Sequence, residues 1–178
     1  LLIDHAWGWE PCTIADIKAY KPEFNSLGSG QVLQEPYSFA KARLVVCEMA
    51  DQLALDLVEK GLVTKQLTLT VGYDRENLQD PERRRRYHGA VTRDPYGREI
   101  PRHAHGTANL EEMTSSAKVL IGAASGLFDR IVDQGLLIRR LNLTAVRVLP
   151  VGSAEDDCGC EQLDLFSNFG PAAEARRR

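Results

Sequence analysis

The side chains with the most readily named chemistry are four cysteines, Cys12, Cys47, Cys158 and Cys160, and four histidines, His5, His88, His103 and His105. Cys158-Gly159-Cys160 has the spacing of half a metal site, but a structural zinc takes four ligands and no second Cys/His pair stands at a matching interval. The histidines make no His-x-x-x-His pair on one helical face. Two disulfides are arithmetically possible, yet a chain of this size can bury a core without staples, so reduced, structural or incidental thiols in a cytosol are expected. What remains is binding chemistry. Asn25-Ser26-Leu27-Gly28-Ser29-Gly30 with Gln31-Val32-Leu33 behind it is a strand whose small residues let something approach the backbone closely. Gln66-Leu67-Thr68-Leu69-Thr70-Val71 alternates strictly, so one side is apolar and the other polar but uncharged, a face for solvent or a ligand.

Elements able to position these residues can be read along the 178 positions. Residues 1–9 read as the end of a helix closed by Pro11, and residues 10–25 as a tether without sustained period. Ser38 caps a helix running to about Lys60, stopped by Gly61, with Ala42, Val45, Val46, Met49, Leu53 and Leu57 as its buried stripe. Residues 74–88 read as arginine-rich and irregular. A short strand is expected near His88–Thr92, a turn at Asp94-Pro95-Tyr96-Gly97 and a strand from about Ile100 to Leu110. A second helix, capped by Thr114 or Ser115, carries Val119, Leu120, Ala123, Ala124, Leu127, Phe128 and Ile131, and a last strand spans Leu141 to Leu149. The order β-α-β-β-β-α-β predicts an α+β fold, two helices on one face of a four-stranded, mainly antiparallel sheet.

Charge and composition narrow the partners. The net charge is −3. Residues 151–178 hold three arginines against six acids, which leaves residues 1–150 balanced at 19 basic and 19 acidic. Within that neutral body, residues 75–102 hold eight arginines against five acids, so positive charge is local and a nucleic-acid partner is permitted. No apolar run approaches the roughly 20 residues of a bilayer-spanning helix, and no secretory signal is visible. The first residue is Leu1 and the methionines are Met49 and Met113, so the chain is expected to be a piece of a longer protein.

From Pro150 the pattern dissolves into an acidic linker over 151–160, followed by Glu161-Gln162-Leu163-Asp164-Leu165-Phe166. The run Gln162, Leu163, Asp164, Leu165, Phe166 resembles the peptide by which bacterial replication and repair proteins hold the β sliding clamp. A match to Gln-Leu-[Ser/Asp]-Leu-Phe arises by chance at a given position on the order of once in a million. In such a peptide Leu165 and Phe166 enter an apolar cleft and Gln162 fixes register; the alternative is a terminal turn docked on its own domain.

With that peptide behind it, the body is similar to the C-terminal little-finger domain of Y-family (impB/mucB/samB-type) translesion DNA polymerases. The resemblance rests on the strand opening at Asn25–Gln31, the block 38–73, Arg102-His103-Ala104-His105-Gly106-Thr107 and Ile138-Arg139-Arg140-Leu141-Asn142-Leu143. It also takes in Leu1–Pro11 as the end of a thumb helix, 12–25 as tether, 26–150 as the DNA-binding domain, 151–160 as linker and 161–178 as clamp-binding tail. It implies a primer–template DNA partner held through phosphates without sequence preference, contacted by Ser26, Gly28, Ser29, Gly30, Thr68, Thr70, Arg102, His103, Gly106, Thr107, Asn142 and Thr144. For each threonine the plain alternative is β-propensity on a solvated face, and for Gly106 a strand bulge.

The same resemblance implies a parent DNA polymerase acting in repair in a bacterial cytoplasm. Its magnesium ions would be held by palm-domain carboxylates. Asp156-Asp157, adjacent in a linker, cannot hold such a geometry, so this fragment is expected to bind DNA with no catalytic residue, metal or cofactor of its own. Residues 74–99 exceed the usual connection; Arg83-Arg84-Arg85-Arg86 is either an extra phosphate contact or a solvated loop. A rival reading from another class is a stand-alone adaptor that recruits a different repair protein to the clamp.

Overall fold

The computed structural model describes residues 6–8, 12–20 and 26–153. Four long strands, β1 (Leu27–Tyr37), β2 (Leu62–Tyr73), β5 (Ala104–Thr114) and β6 (Ile138–Val146), form one antiparallel sheet in the order β1-β6-β2-β5. A short β7 (Leu149–Pro150) extends it by pairing with Leu62 and Val63 of β2. Helices α2 (Phe39–Glu59) and α5 (Ala117–Ile131) cover one face. The α+β class, the four-stranded sheet and the two covering helices are those read from the sequence.

The covered face follows directly from alternation. Leu67, Leu69 and Val71 of β2 and Leu141, Leu143 and Ala145 of β6 are all essentially inaccessible. Above them α2 sets Ala42, Val46, Met49, Leu53 and Leu57, and α5 sets Leu120, Ala124, Leu127 and Phe128. Phe39 and Phe128 meet at 4.9 Å between ring centroids in a tilted pair, and Arg43 grips Asp129 through Nε at 2.8 Å and a second nitrogen at 3.1 Å, which joins the helices. Helix α2 ends where Gly61 takes a left-handed φ of 62°. Ser38 and Ser116 occupy the N-cap positions of α2 and α5, neither with a side-chain capping bond. The second helix thus starts a residue or two later than Thr114 or Ser115 suggested; Thr114 instead accepts from the Ser116 N–H at 3.0 Å.

Four local expectations are corrected. The tether contains a helix, α1 (Ile14–Ala19), built on a reciprocal capping box between Thr13 and Asp16, with no buried residue; six residues are too short to show an apolar period. The Thr13 hydroxyl, above all, holds the Asp16 carboxyl below the usual range. The arginine-rich stretch is ordered as α3 (Glu76–Gln79) and α4 (Pro81–Arg86), the latter started by Asp80, whose carboxylate accepts from the Glu82 and Arg83 N–H groups, with Pro81 in the first turn. The expected strand near His88–Thr92 is β3 (Val91–Arg93), which leaves the sheet to form a two-stranded ribbon with β4 (Glu99–Pro101); the expected strand from Ile100 is therefore broken between ribbon and sheet at Arg102-His103. The last strand closes at Val146 rather than Leu149 because Arg147 turns the chain with φ 56°. The thumb-helix reading, apart from residues 6–8, the linker beyond residue 153 and the clamp-like tail lie outside the described residues.

Candidate nucleic-acid interface

Opposite the helices the sheet is open, and its register sorts the candidate residues into rows. Gly28, Thr144, Thr68 and Thr107 lie side by side across the four strands, and Gly30, Asn142, Thr70 and His105 form the next row. On one side of these, Gln66 stands between Val146 and Asn109; on the other, Gly72 stands next to Arg140, which itself pairs with Val32. Strands lie about 4.8 Å apart, so the rows make a continuous polar field. It is laced by Gln66 Nε2 donating to Asn109 Oδ1 at 2.8 Å, Thr144 Oγ1 donating to Asn142 Oδ1 at 3.2 Å, and a Thr70–His105 contact of 2.9 Å. No carboxylate stands at any of these positions. Thr68, Thr70 and Thr144 are half-buried, Asn142, Thr107 and His105 exposed.

Two glycines on this face have different reasons. A Cβ at residue 28 would come 2.6 Å from Thr144 Oγ1 and 3.0 Å from the Leu143 carbonyl, so the partner strand excludes one. At residue 30 the nearest atom would be 3.7 Å away, so packing permits a side chain there and its absence leaves the backbone bare.

Of the residues proposed from sequence, the structure brings Gly28, Gly30, Thr68, Thr70, Thr107, Asn142 and Thr144 together. Ser26 is exposed just ahead of β1. Ser29 and Gly106 have the other parity, opposite Leu143 and Leu69 on the helix-covered side. Gly106 answers to packing rather than to a bulge: a Cβ there would lie 2.9 Å from Ile131 Cγ2 and 3.1 Å from Leu127 Cδ1, and with Ala104 and Ala108 it forms a shallow strip that lets α5 settle on β5.

Arg102 and His103 sit where the insert rejoins the sheet, lining a shallow cleft of about 290 Å³ with Tyr73, Tyr87 and Asp133. Tyr73 is buried there, which pushes its phenol up, while its oxygen accepts the Asp133 N–H at 3.0 Å.

Sequence reasoning missed Arg140, His105, Gln66 and Asn109. Their parity with Asn142, Thr107 and Thr68 was the available signal. Arg140 is exposed on the open face, with Gly72 beside it: a Cβ on Gly72 would meet the Arg140 Cβ at 3.2 Å. Its neighbour Arg139 turns the other way, donating to the Gln34 carbonyl at 2.8 Å and standing 3.7 Å from the Asp74 carboxylate.

The insert spends much of its own charge. Arg84 lies 3.5 Å from Glu99, Arg83 3.9 Å from Asp80, Arg98 2.6 Å from Asp94, and Arg85 donates to the Pro81 carbonyl. Buried Asn77 fastens the insert to the sheet: its Nδ2 donates to the carbonyls of Asp74 and Leu137 and its Oδ1 accepts from the Leu137 N–H, each at 2.8 Å. Among the described residues no three His, Cys, Asp or Glu side chains converge as a metal site, and no step below is routed through a metal. Cys12 and Cys47 are free thiols, and no described helix is long and apolar enough to cross a membrane.

The impB/mucB/samB family C-terminal domain matches residues 25–165, and the chain belongs to that family. Among solved structures it is similar to the little finger domain of PolIV in complex with the beta-clamp processivity factor, at 10% identity and a TM-score of 0.43, covering 68% of this chain and 86% of that one. No curated protein matches it.

Proposed function

We propose that the open sheet face holds the sugar–phosphate backbone of primer–template DNA without reading sequence, while the Gln162–Phe166 peptide ties the parent polymerase to the β sliding clamp. The observation that carries the DNA reading is the pair of central rows: hydroxyls, amides, an imidazole and bare glycine backbone, no carboxylate, and Arg140 at their border. Such donors suit phosphate and sugar oxygens, which every sequence presents alike, and so position a duplex without specifying it. Gly30 lets a phosphate reach main chain, Thr68, Thr70, Thr144 and Asn142 supply short donors, and Arg140 supplies the full charge that a neutral domain otherwise lacks. Arg102 and His103 extend the donor set past the end of β5.

The clamp reading is supported by the residue pattern and by its place after an acidic linker. The chain leaves the sheet by β7 beside Leu62, at the opposite end of β2 from Tyr73, where the insert begins. The last described residues and the arginine-rich insert therefore lie at opposite ends of a strand about 36 Å long at roughly 3.3 Å per residue. Nucleotidyl transfer and its magnesium ions belong, on this reading, to palm carboxylates elsewhere in the parent chain.

Fluorescence anisotropy of two labelled primer–templates of unrelated sequence tests the DNA reading. The expected result is weak, equal affinity for both, falling with salt at a log–log slope near −0.9 for each phosphate contacted. Strong preference for one sequence, or binding indifferent to salt, contradicts it.

A further inference from the structure

Within the polar rows of the open face, His105 is the one titratable side chain. Its Nδ1 lies 2.9 Å from Thr70 Oγ1 on the neighbouring strand. When the imidazole is neutral at Nδ1, the Thr70 hydroxyl donates its hydrogen into the ring and is spent within the pair. When the ring is protonated, Nδ1–H donates to Thr70 Oγ1, and the threonine hydrogen is released to point off the sheet. Starting from the Nε2–H tautomer, one proton therefore adds a positive charge and frees a second donor.

The surroundings decide what stabilises that charged state. Facing the pair are Thr68 and Gly72 from β2, Asn142, Thr144 and Arg140 from β6, Gly28, Gly30 and Val32 from β1, and His103 and Thr107 from β5. From the helix layer Arg130 reaches the Thr107 carbonyl at 3.1 Å. The charged or titratable groups in this set are Arg140, Arg130 and His103; none is an acid. No acid among these neighbours favours the imidazolium, so a docked anion would.

We propose that Thr70 and His105 form a phosphate-binding pair that takes up a proton as the DNA backbone docks. The proposal rests on the duplex-binding reading of this face and adds to it a linked proton. Because the bound phosphate favours the protonated ring, protonation favours binding by the same factor. By that linkage the gain is present at low pH and is lost as pH rises through the midpoint of the complex. Each unit by which the midpoint moves corresponds to about tenfold in affinity.

The test is anisotropy of a labelled duplex with the full chain at constant ionic strength from pH 8 to pH 5.5. Wild type tightens severalfold as pH falls, and His105→Asn flattens the profile. Thr70→Val, which keeps the β-branched shape and removes the hydroxyl, loses more affinity at pH 6 than at pH 8. Circular dichroism of each variant establishes that it is folded. PH-independent binding by wild type, or an unaltered slope in His105→Asn, overturns the pair and leaves the DNA reading standing. Absence of duplex binding at every pH overturns that reading and the pair with it.

Discussion

Gly28 faces Thr144 across the β1–β6 ladder so closely that a methyl group at residue 28 would lie 2.6 Å from the threonine oxygen, while the same addition at Gly30, one row along, would meet nothing nearer than 3.7 Å. Gly28→Ala must push β1 aside or turn Thr144 away from Asn142, at a cost of about 1–2 kcal/mol and a melting temperature lower by a few degrees. Gly30→Ala should leave stability level or slightly raised, since alanine restricts the unfolded chain. Its effect should appear in DNA affinity instead, because the methyl group stands where a phosphate approaches the backbone. Thermal unfolding and anisotropy on both variants separate the two roles. Equal stability losses would mean that the face is packed more uniformly than these distances imply.

Gly106→Ala tests the opposite side of the sheet. The added carbon collides with Ile131 and Leu127, so overpacking should lower stability by about 1–3 kcal/mol in urea unfolding. DNA affinity of the folded fraction should be unchanged, since the strain falls under α5 rather than on the open face. A large affinity loss at unchanged stability would place residue 106 in the interface itself.

Asn77→Ala removes three hydrogen bonds and leaves the Leu137 N–H without a partner, while the Leu137 carbonyl keeps the Asp74 N–H at 2.9 Å. The expected loss is about 2 kcal/mol or more. Hydrogen exchange should accelerate first in residues 74–103, which this side chain fastens to the sheet. Acceleration spread evenly over α2 and β6 would contradict that assignment.

The insert should also have an acid limit. Hydrogen bonds from Arg98, assisted by backbone N–H groups, hold the Asp94 carboxyl below the ordinary aspartate range, and the Glu82 and Arg83 N–H groups do the same for Asp80. A carboxylate whose folded value is depressed contributes stability above the unfolded value of about 3.9 and loses it as pH falls through the folded one. Carbon-13 NMR titration should therefore place both midpoints under that of a free aspartate. A midpoint at or above it would show that these caps do not form.

For the tail, Leu165→Ala with Phe166→Ala should cost upward of about 2 kcal/mol of clamp binding, or thirtyfold or more. Melting temperature should hold, because a segment beyond a linker adds little to a core. A fall of several degrees with clamp affinity intact would identify the peptide as part of the fold.

The sequence made the sheet and its helices legible because alternation in Gln66–Val71 and Leu141–Ala145, and the stripes from Ala42 and Leu120, each repeat long enough to fix a face. Ser29 and Gly106 went to the wrong side for a one-residue reason: motif proximity grouped them with Gly28 and Thr107, while the pleat alternates at every step. Arg140 and His105 escaped for the converse reason, since their importance lies in cross-strand neighbours from distant parts of the chain. The insert resisted because helices of four and six residues carry no full period; only the cap Asp80-Pro81 marked one.

If DNA lies on the open face, its contact with the two central rows is visible residue by residue. Backbone amide chemical-shift mapping on adding a primer–template duplex tests it most directly. Perturbations should be concentrated at Gly28, Gly30, Thr68, Thr70, His105, Thr107, Asn142 and Thr144, with Arg140 at the margin and the outer surface of α2 around Leu44 and Leu55 unmoved. Perturbations confined to α2, α5 or the insert, with those rows silent, would contradict it.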